Sequence, residues 1–347
     1  MAKQNINLVN SSKKVTVIAE AGVNHNGDLN IAFELIKAAA NAGADVIKFQ
    51  TFHADEIVTN YSKKANYQIK NNLTDANETQ KEMLTKLELS ENDHQLLIER
   101  CKEYNIEFLS TGFDLNSLNL LNKLQIKRYK IPSGEITNLP YLKHITKFKK
   151  PIIMSTGMAS LDEIKAAVDV LLKEGHPKEK LTLLQCTTEY PAPFEEINLK
   201  VMKTLRNTFN VNVGISDHSA GISVPIASVA LGATVIEKHL TLDKELPGPD
   251  HKASLVPNEL ISMIRGIREI EKALGNGIKI MTPSEEKNKN IVRKSLVATK
   301  KIHKGDTFSY ENIGCKRPGY GISPMKINNI LGETAPKNFE EDEMIEL

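Results

Sequence analysis

The chain has 347 residues, enough for two ordinary domains or for one large barrel with an appendage. Hydrophobic residues make up 40%, charged residues 25%, and the net charge is only +2, which is ordinary for a globular protein and lacks the basic excess of a dedicated nucleic-acid binder. The three cysteines, Cys101, Cys186 and Cys315, are too few and too scattered for a disulfide scaffold or a zinc ribbon, and fit a reducing, cytoplasmic setting.

The opening MAKQNINLVNSSKK has no apolar run of signal-peptide type. Short β-branched runs then recur at 15–20, 46–50, 107–111, 128–131, 151–155, 181–186, 213–215 and 235–239, each followed by a helix-like stretch. Between the second and third runs, 52–79 is polar and Asn-rich and reads as a long surface excursion. The clearest helix is 161–172. Leu161, Ile164, Val168, Leu171 and Leu172 share one face, Ser160 and Glu163 form a capping box, and Gly175 with Pro177 stops it. The most apolar stretch, 223–236, is too short for a bilayer and carries Pro225 and Gly232, so it reads as a buried helix running into a strand, and no membrane partner is expected. A second amphipathic helix is expected over 257–274.

Eight strand–helix units in 1–275 have the size of a (β/α)8 TIM barrel, with a doubly wound open sheet as the alternative. Residues 276–290 read as a polar linker. Residues 291–347, with turn signals at 303–306 and 318–321, read as a small β-rich second domain near the lower size limit for independent folding.

A barrel of this type places its chemistry at the C-terminal ends of the strands. There this sequence puts Glu20; Lys48 and Gln50; Thr111; Lys130, Ser133 and Glu135; Ser155; Tyr190; Ser216 and His218; and Glu237 with His239. A single hydroxyl after a strand is ordinarily a turn residue, and a single histidine is ordinarily structural. Lysines inside apolar strands, as in Val-Ile-Lys-Phe-Gln and Arg-Tyr-Lys-Ile, are costly to bury without an anion. Lys48 and Lys130, with Thr111, Ser133, Ser155 and Ser216, make a cradle for a phosphorylated acid. No GxxxxGK loop is present, which argues against a nucleotide. His218 and His239 suit a hydrated, exchangeable divalent cation, with two unrelated structural histidines as the alternative.

Taken in order, Ala-Glu-Ala-Gly-Val-Asn-His-Asn-Gly (19–27), Ile-Lys-Phe-Gln-Thr (47–51), Tyr-Lys-Ile-Pro-Ser-Gly-Glu (129–135), Met-Ser-Thr-Gly-Met (154–158), Cys-Thr-Thr-Glu-Tyr-Pro (186–191), Gly-Ile-Ser-Asp-His (214–218), Glu-Lys-His (237–239) and Gly-Pro-Asp-His (248–251) resemble the bacterial sialic acid (N-acetylneuraminate) synthase family. The C-terminal Lys-Arg-Pro-Gly-Tyr-Gly-Ile (316–322) resembles that family's antifreeze-like (SAF) domain. The resemblance implies condensation of phosphoenolpyruvate with N-acetylmannosamine and water to N-acetylneuraminate and phosphate, with Mn2+ or Mg2+. It assigns Lys48, Thr111, Lys130, Ser133, Ser155 and Ser216 to phosphoenolpyruvate and His218 and His239 to the metal. Gln50, Glu135, Tyr190 and Asp250 fall to the sugar. Arg317 reaches the sugar's N-acetyl group from the other subunit of a domain-swapped homodimer. Water attack needs a general base, for which Glu20 is the candidate.

One position departs from the pattern. Thr188 stands where sialic acid synthases carry Asn, a form shared with synthases of the related legionaminic acid. A legionaminic acid synthase using 2,4-diacetamido-2,4,6-trideoxymannose is therefore the alternative activity. From a different class, a carbohydrate-binding or antifreeze-like protein would need no lysines and histidines at the barrel top.

Overall fold

The apolar runs pair in the computed structural model, which describes residues 14–65, 68–69 and 78–347. The strands are β1 (Thr16–Gly22), β2 (Val46–Thr51), β3 (Glu107–Gly112), β4 (Tyr129–Ile131), β5 (Ile152–Ser155), β6 (Leu181–Cys186), β7 (Asn212–Asp217) and β8 (Val235–His239). They form one all-parallel sheet in the order β3-β2-β1-β8-β7-β6-β5-β4. This is the expected (β/α)8 barrel. Its strands are buried on both faces, as near-continuous runs of Val, Ile and Leu require.

The ends of that order, β3 and β4, lie side by side without a hydrogen-bonded ladder. Side chains fasten the seam instead. Arg128, just before β4, holds Glu107 at the start of β3 by two hydrogen bonds, from Nε (2.7 Å) and Nη2 (2.9 Å). At the other end the Tyr141 hydroxyl donates to the Gly112 carbonyl at 2.6 Å.

The helix Leu161–Lys173 starts on the expected capping box, the Ser160 side chain accepting from the Glu163 N–H and the Glu163 carboxylate from the Ser160 N–H. The stretch at 223–236 becomes the helix Ser223–Ala230 followed by β8. The excursion after β2 is less superficial than expected. It contains a short helix, Ala54–Ile57, and a buried Lys64–Glu78 ion pair of 2.7 Å. Phe52 joins Val23, Met83 and Leu87 in a small buried apolar cluster separate from the barrel core. Residues 66–67 and 70–77 of this excursion lie outside the described set.

The chain divides into two compact units, one ending at Asn276 and one running from Gly277 to Leu347. In the second unit β9 (Ser295–Ala298) and β10 (Ile313–Lys316) pair antiparallel over a core that includes Leu296, Phe308, Ile313 and Phe339. Residues expected as polar linker form the helix Pro283–Val292 instead. Its start is a Thr282/Glu285 capping box with proline in the first turn. It buries none of its residues, and its apolar side chains, Ile291 and Val292, lie together at its end rather than in a stripe that a sequence pattern could reveal. Among the described residues, no helix is long and apolar enough to cross a membrane.

Candidate active site

Parallel pairing brings the strand-end residues to one mouth. Across the ladder Glu20 stands opposite Lys48 on one side and His239 on the other, and Ser216 stands opposite Glu237. A cavity of about 330 Å3 opens there, and its lining includes every expected barrel residue from Glu20 to Asp250. Arg317 belongs to the second unit, exposed at the end of β10.

The two lysines are almost wholly buried, Lys48 at 4% and Lys130 at 3% exposure, so each needs anionic company. Lys48 Nζ lies 2.9 Å from Glu20 Oε2 and donates to Thr111 Oγ1 at 2.9 Å. Lys130 Nζ donates to Ser155 Oγ at 2.7 Å. Between them stands Glu237, 3.5 Å from Lys48, 3.4 Å from Lys130, and accepting from Ser216 Oγ at 2.8 Å. Reasoning from the motifs assigns Glu237 no role. The clue is present in Val-Ile-Glu-Lys-His, where strand alternation turns residues 237 and 239 inward together. Lys238, on the opposite face, is fully buried against Asp217 at 2.6 Å and serves the scaffold.

The two carboxylates differ sharply. At Glu237 burial favours the neutral acid, but Lys130, Lys48 and the Ser216 hydroxyl outweigh it and hold the group well below the usual carboxylate range. At Glu20 burial wins over Lys48, with Glu237 adding repulsion, and the pKa rises to about 7. A carboxylate poised near neutral pH is suited to take and return a proton. Burial also lifts Asp250 to about 6.

Hydroxyls complete the cradle. Gly157 N–H donates to Ser133 Oγ at 3.0 Å, and the buried Thr188 hydroxyl has no hydrogen-bond partner among the described residues. A Cβ on Gly157 would lie 2.3 Å from Thr188 Oγ1 and 2.8 Å from Ser133 Oγ, so only glycine lets these hydroxyls converge. Glu135, half-buried, accepts from Asn138 Nδ2 at 2.6 Å.

His218 and His239 face each other with ring centroids 5.4 Å apart, and Tyr190 stacks on His218 at 4.1 Å. His218 Nδ1 donates to the Thr187 carbonyl at 2.7 Å; burial disfavours the imidazolium, but Cys186 and the Thr187 carbonyl outweigh it and raise the pKa, so the ring would give up its second proton, at Nε2, on taking a metal. Burial, with help from His218 and Lys48, holds His239 well below the ordinary histidine range, and its buried Nδ1 has no hydrogen-bond partner among the described residues. Asp250 Oδ2 is 3.8 Å from that nitrogen. A neutral, orphaned imidazole in a polar cavity fits a metal ligand. Among the described residues no group of three or more His, Cys, Asp or Glu is arranged to hold an ion, so a metal here would draw its other ligands from substrate and water. Cys186, also unassigned from the motifs, lines the cavity with its sulfur 3.9 Å from His218 Nδ1.

Residues 35–279 match the NeuB family and residues 293–346 match the SAF domain. The chain belongs to the NeuB family. It is an enzyme, a nonulosonic acid synthase that forms a carbon–carbon bond. It is 57% identical over 333 residues to the N,N'-diacetyllegionaminic acid synthase of Campylobacter jejuni, covering 96% of this chain and 99% of that one. The N,N'-diacetyllegionaminic acid synthase of Legionella pneumophila is 48% identical over 331 residues, covering 95% and 92%. Among solved structures, the N-acetylneuraminic acid synthetase of Leptospira borgpetersenii matches with a TM-score of 0.70 and 34% identity, covering 83% of this chain and 94% of that one. The barrel followed by an SAF domain, as read from the motifs, is therefore the family's architecture.

Proposed function

We propose that this NeuB-family enzyme condenses phosphoenolpyruvate with 2,4-diacetamido-2,4,6-trideoxymannose and water, giving N,N'-diacetyllegionaminic acid and phosphate. The observation that carries the reaction class is the pair of buried lysines, Lys48 and Lys130, flanked by hydroxyls on one cavity. Such a site favours a small, multiply charged anion. The sugar rests on the relatives. Identities of 57% and 48% with two legionaminic acid synthases, against 34% with the Leptospira sialic acid synthetase, reverse the order of substrates expected from the motifs. Thr188 points the same way.

Lys48, Lys130 and the hydroxyls of Thr111, Ser133, Ser155 and Ser216 hold the phosphate and carboxylate of phosphoenolpyruvate, with Glu237 keeping both lysines charged and aimed. A divalent cation, Mn2+ or Mg2+, held by His218 and His239 would polarise the sugar's aldehyde oxygen. C3 of phosphoenolpyruvate bonds to the aldehyde carbon as the carbonyl π electrons pass to its oxygen, water adds at C2, and Glu20 takes the water's proton and returns it to the new sugar alkoxide. The bond from C2 to the bridging oxygen then breaks, phosphate leaves with that oxygen and the proton of the C2 hydroxyl, the lysines offsetting its charge, and a 2-keto acid remains. Gln50, Glu135, Tyr190 and Asp250 position the sugar.

Arg317 completes the sugar site from a second copy of the chain in a domain-swapped homodimer. In support, the segment before β9 exposes Ile280, Met281, Ile291 and Val292, apolar groups that a partner would cover. Its guanidinium offers a rigid fork of donors to an acetamido carbonyl. Mixed inactive Arg317→Ala and Glu20→Ala chains should regain part of the activity. Exchange of subunits without recovery refutes the arrangement.

The reaction is tested by phosphate release from phosphoenolpyruvate, with product mass read by mass spectrometry, using each sugar with and without chelator. Turnover with the diacetamido sugar, lost on chelation, is expected. Turnover only with N-acetylmannosamine would return the enzyme to sialic acid synthesis, and none with either would refute the synthase reading.

A further inference from the structure

The cavity has two unlike halves. Its floor is the charged cradle of Lys48, Lys130, Glu20 and Glu237. Its side wall is mostly hydrocarbon, built by Phe52, Ile57, Val58, Met83, Leu84 and Leu87, with Gln68 and Gln80 on the same lining. The apolar residues come from the excursion after β2 and the helix Gln80–Thr85 with its flank, and all but Val58 belong to the small apolar cluster that stands apart from the barrel core. The wall is braced from behind, the Phe52 and Phe113 rings meeting edge to face at 6.1 Å. Across the mouth Met158 is 72% exposed and is held at φ 61°, a backbone conformation that a methionine rarely adopts.

Phosphoenolpyruvate has no use for such a wall, since its carboxylate, phosphate and methylene all belong at the floor. The wall must therefore meet the second substrate. The sugar's aldehyde carbon has to approach phosphoenolpyruvate at the floor, which sends C6, five bonds away, towards the other half of the cavity. A C6 hydroxyl set against hydrocarbon would lose its water without gaining a partner. A C6 methyl would gain contact.

We infer that the apolar wall of residues 52–58 and 83–87 selects a sugar whose C6 is a methyl group. This inference rests on the synthase reading above and specifies what that enzyme rejects.

The experiment compares two sugars differing by one oxygen, 2,4-diacetamido-2,4,6-trideoxymannose and 2,4-diacetamido-2,4-dideoxymannose, with kcat/KM measured for each at saturating phosphoenolpyruvate. A preference of roughly 10- to 200-fold for the 6-deoxy sugar is expected. The wall is then altered at its two partly exposed positions by Ile57→Thr and Val58→Thr, which keep the branching and add a hydroxyl. Each should shrink the preference several-fold by raising KM for the 6-deoxy sugar, while KM for phosphoenolpyruvate stays the same. Equal kcat/KM for the two sugars in the wild type, or a preference that survives both substitutions, overturns the wall's role and leaves the synthase reading intact. Absence of any condensation product from either sugar overturns both.

Discussion

Glu20→Gln should make the protein more stable while abolishing its turnover. The carboxyl is 2% exposed, and burial lifts its pKa from 4.5 to about 7 despite Lys48 at 2.9 Å. Below the unfolded value, folded and unfolded chains both carry the proton, and the group contributes nothing to stability. Between the two values the unfolded chain releases the proton while the folded chain keeps it, so stability falls as pH rises. Above the folded value the loss is complete, on the order of 3 kcal/mol at 1.36 kcal/mol per pH unit. Glutamine mimics the protonated acid at every pH. The variant should therefore match the wild type near pH 4.5 and exceed it by several degrees in Tm at pH 8. Asp250, also raised by burial, shifts stability in the same direction but is present in both proteins and cancels in the difference. Thermal unfolding without ligands, at half-unit steps from pH 4.5 to 8.5, reads the gap directly. A Glu20→Gln variant less stable than wild type at pH 8, or a gap that does not close on acidification, would show that the ion pair with Lys48 outweighs burial. Glu20 would then be a structural counter-ion and an unsuitable base.

Lys130→Ala removes a charge-assisted contact of about 1.5–3 kcal/mol and should raise KM for phosphoenolpyruvate roughly tenfold to a hundredfold, with the sugar KM little changed in steady-state assays. His239→Asn should weaken Mn2+ binding, followed by titration calorimetry, by roughly tenfold or more, and a folded variant that binds Mn2+ normally would remove the metal assignment. Gly157→Ala forces a methyl against Thr188 Oγ1 at 2.3 Å, an overpacking of about 1–3 kcal/mol seen in chemical denaturation. Adding Thr188→Ala should recover much of that loss, and a lack of coupling between the two would mean that the hydroxyls do not converge on Gly157.

Much of this was legible in the sequence because a parallel barrel strand carries no polar residue without reason. Val-Ile-Lys-Phe-Gln and Val-Ile-Glu-Lys-His announced both the strands and the site. What escaped were relations that strand periodicity does not encode. Alternation puts Glu237 on the same face as His239, but its place between lysines from β2 and β4 depends on curvature around the barrel. The apolar wall escaped because Phe52 and Met83 meet only after a long polar excursion has folded back. The helix Pro283–Val292 escaped because its first eight residues are polar or charged apart from the opening proline, although Thr-Pro-Ser-Glu spelled its start. Among the motifs, Thr188 alone stood against N-acetylmannosamine, and the identities of 57% and 48% to two legionaminic acid synthases support the alternative sugar proposed above.

The unpaired seam between β3 and β4 lies beside the cradle. Thr111 stands at one lip and Lys130 on the other. From inside, the links from Lys48 to Glu237 and from Glu237 to Lys130 join the two flanks of the barrel. Arg128 on Glu107 is the clasp at the far end. An anion settling between lysines that Glu237 keeps aimed would add a second strut beside it, so the place where the barrel's backbone is left unpaired is also the place that a bound anion would help to hold.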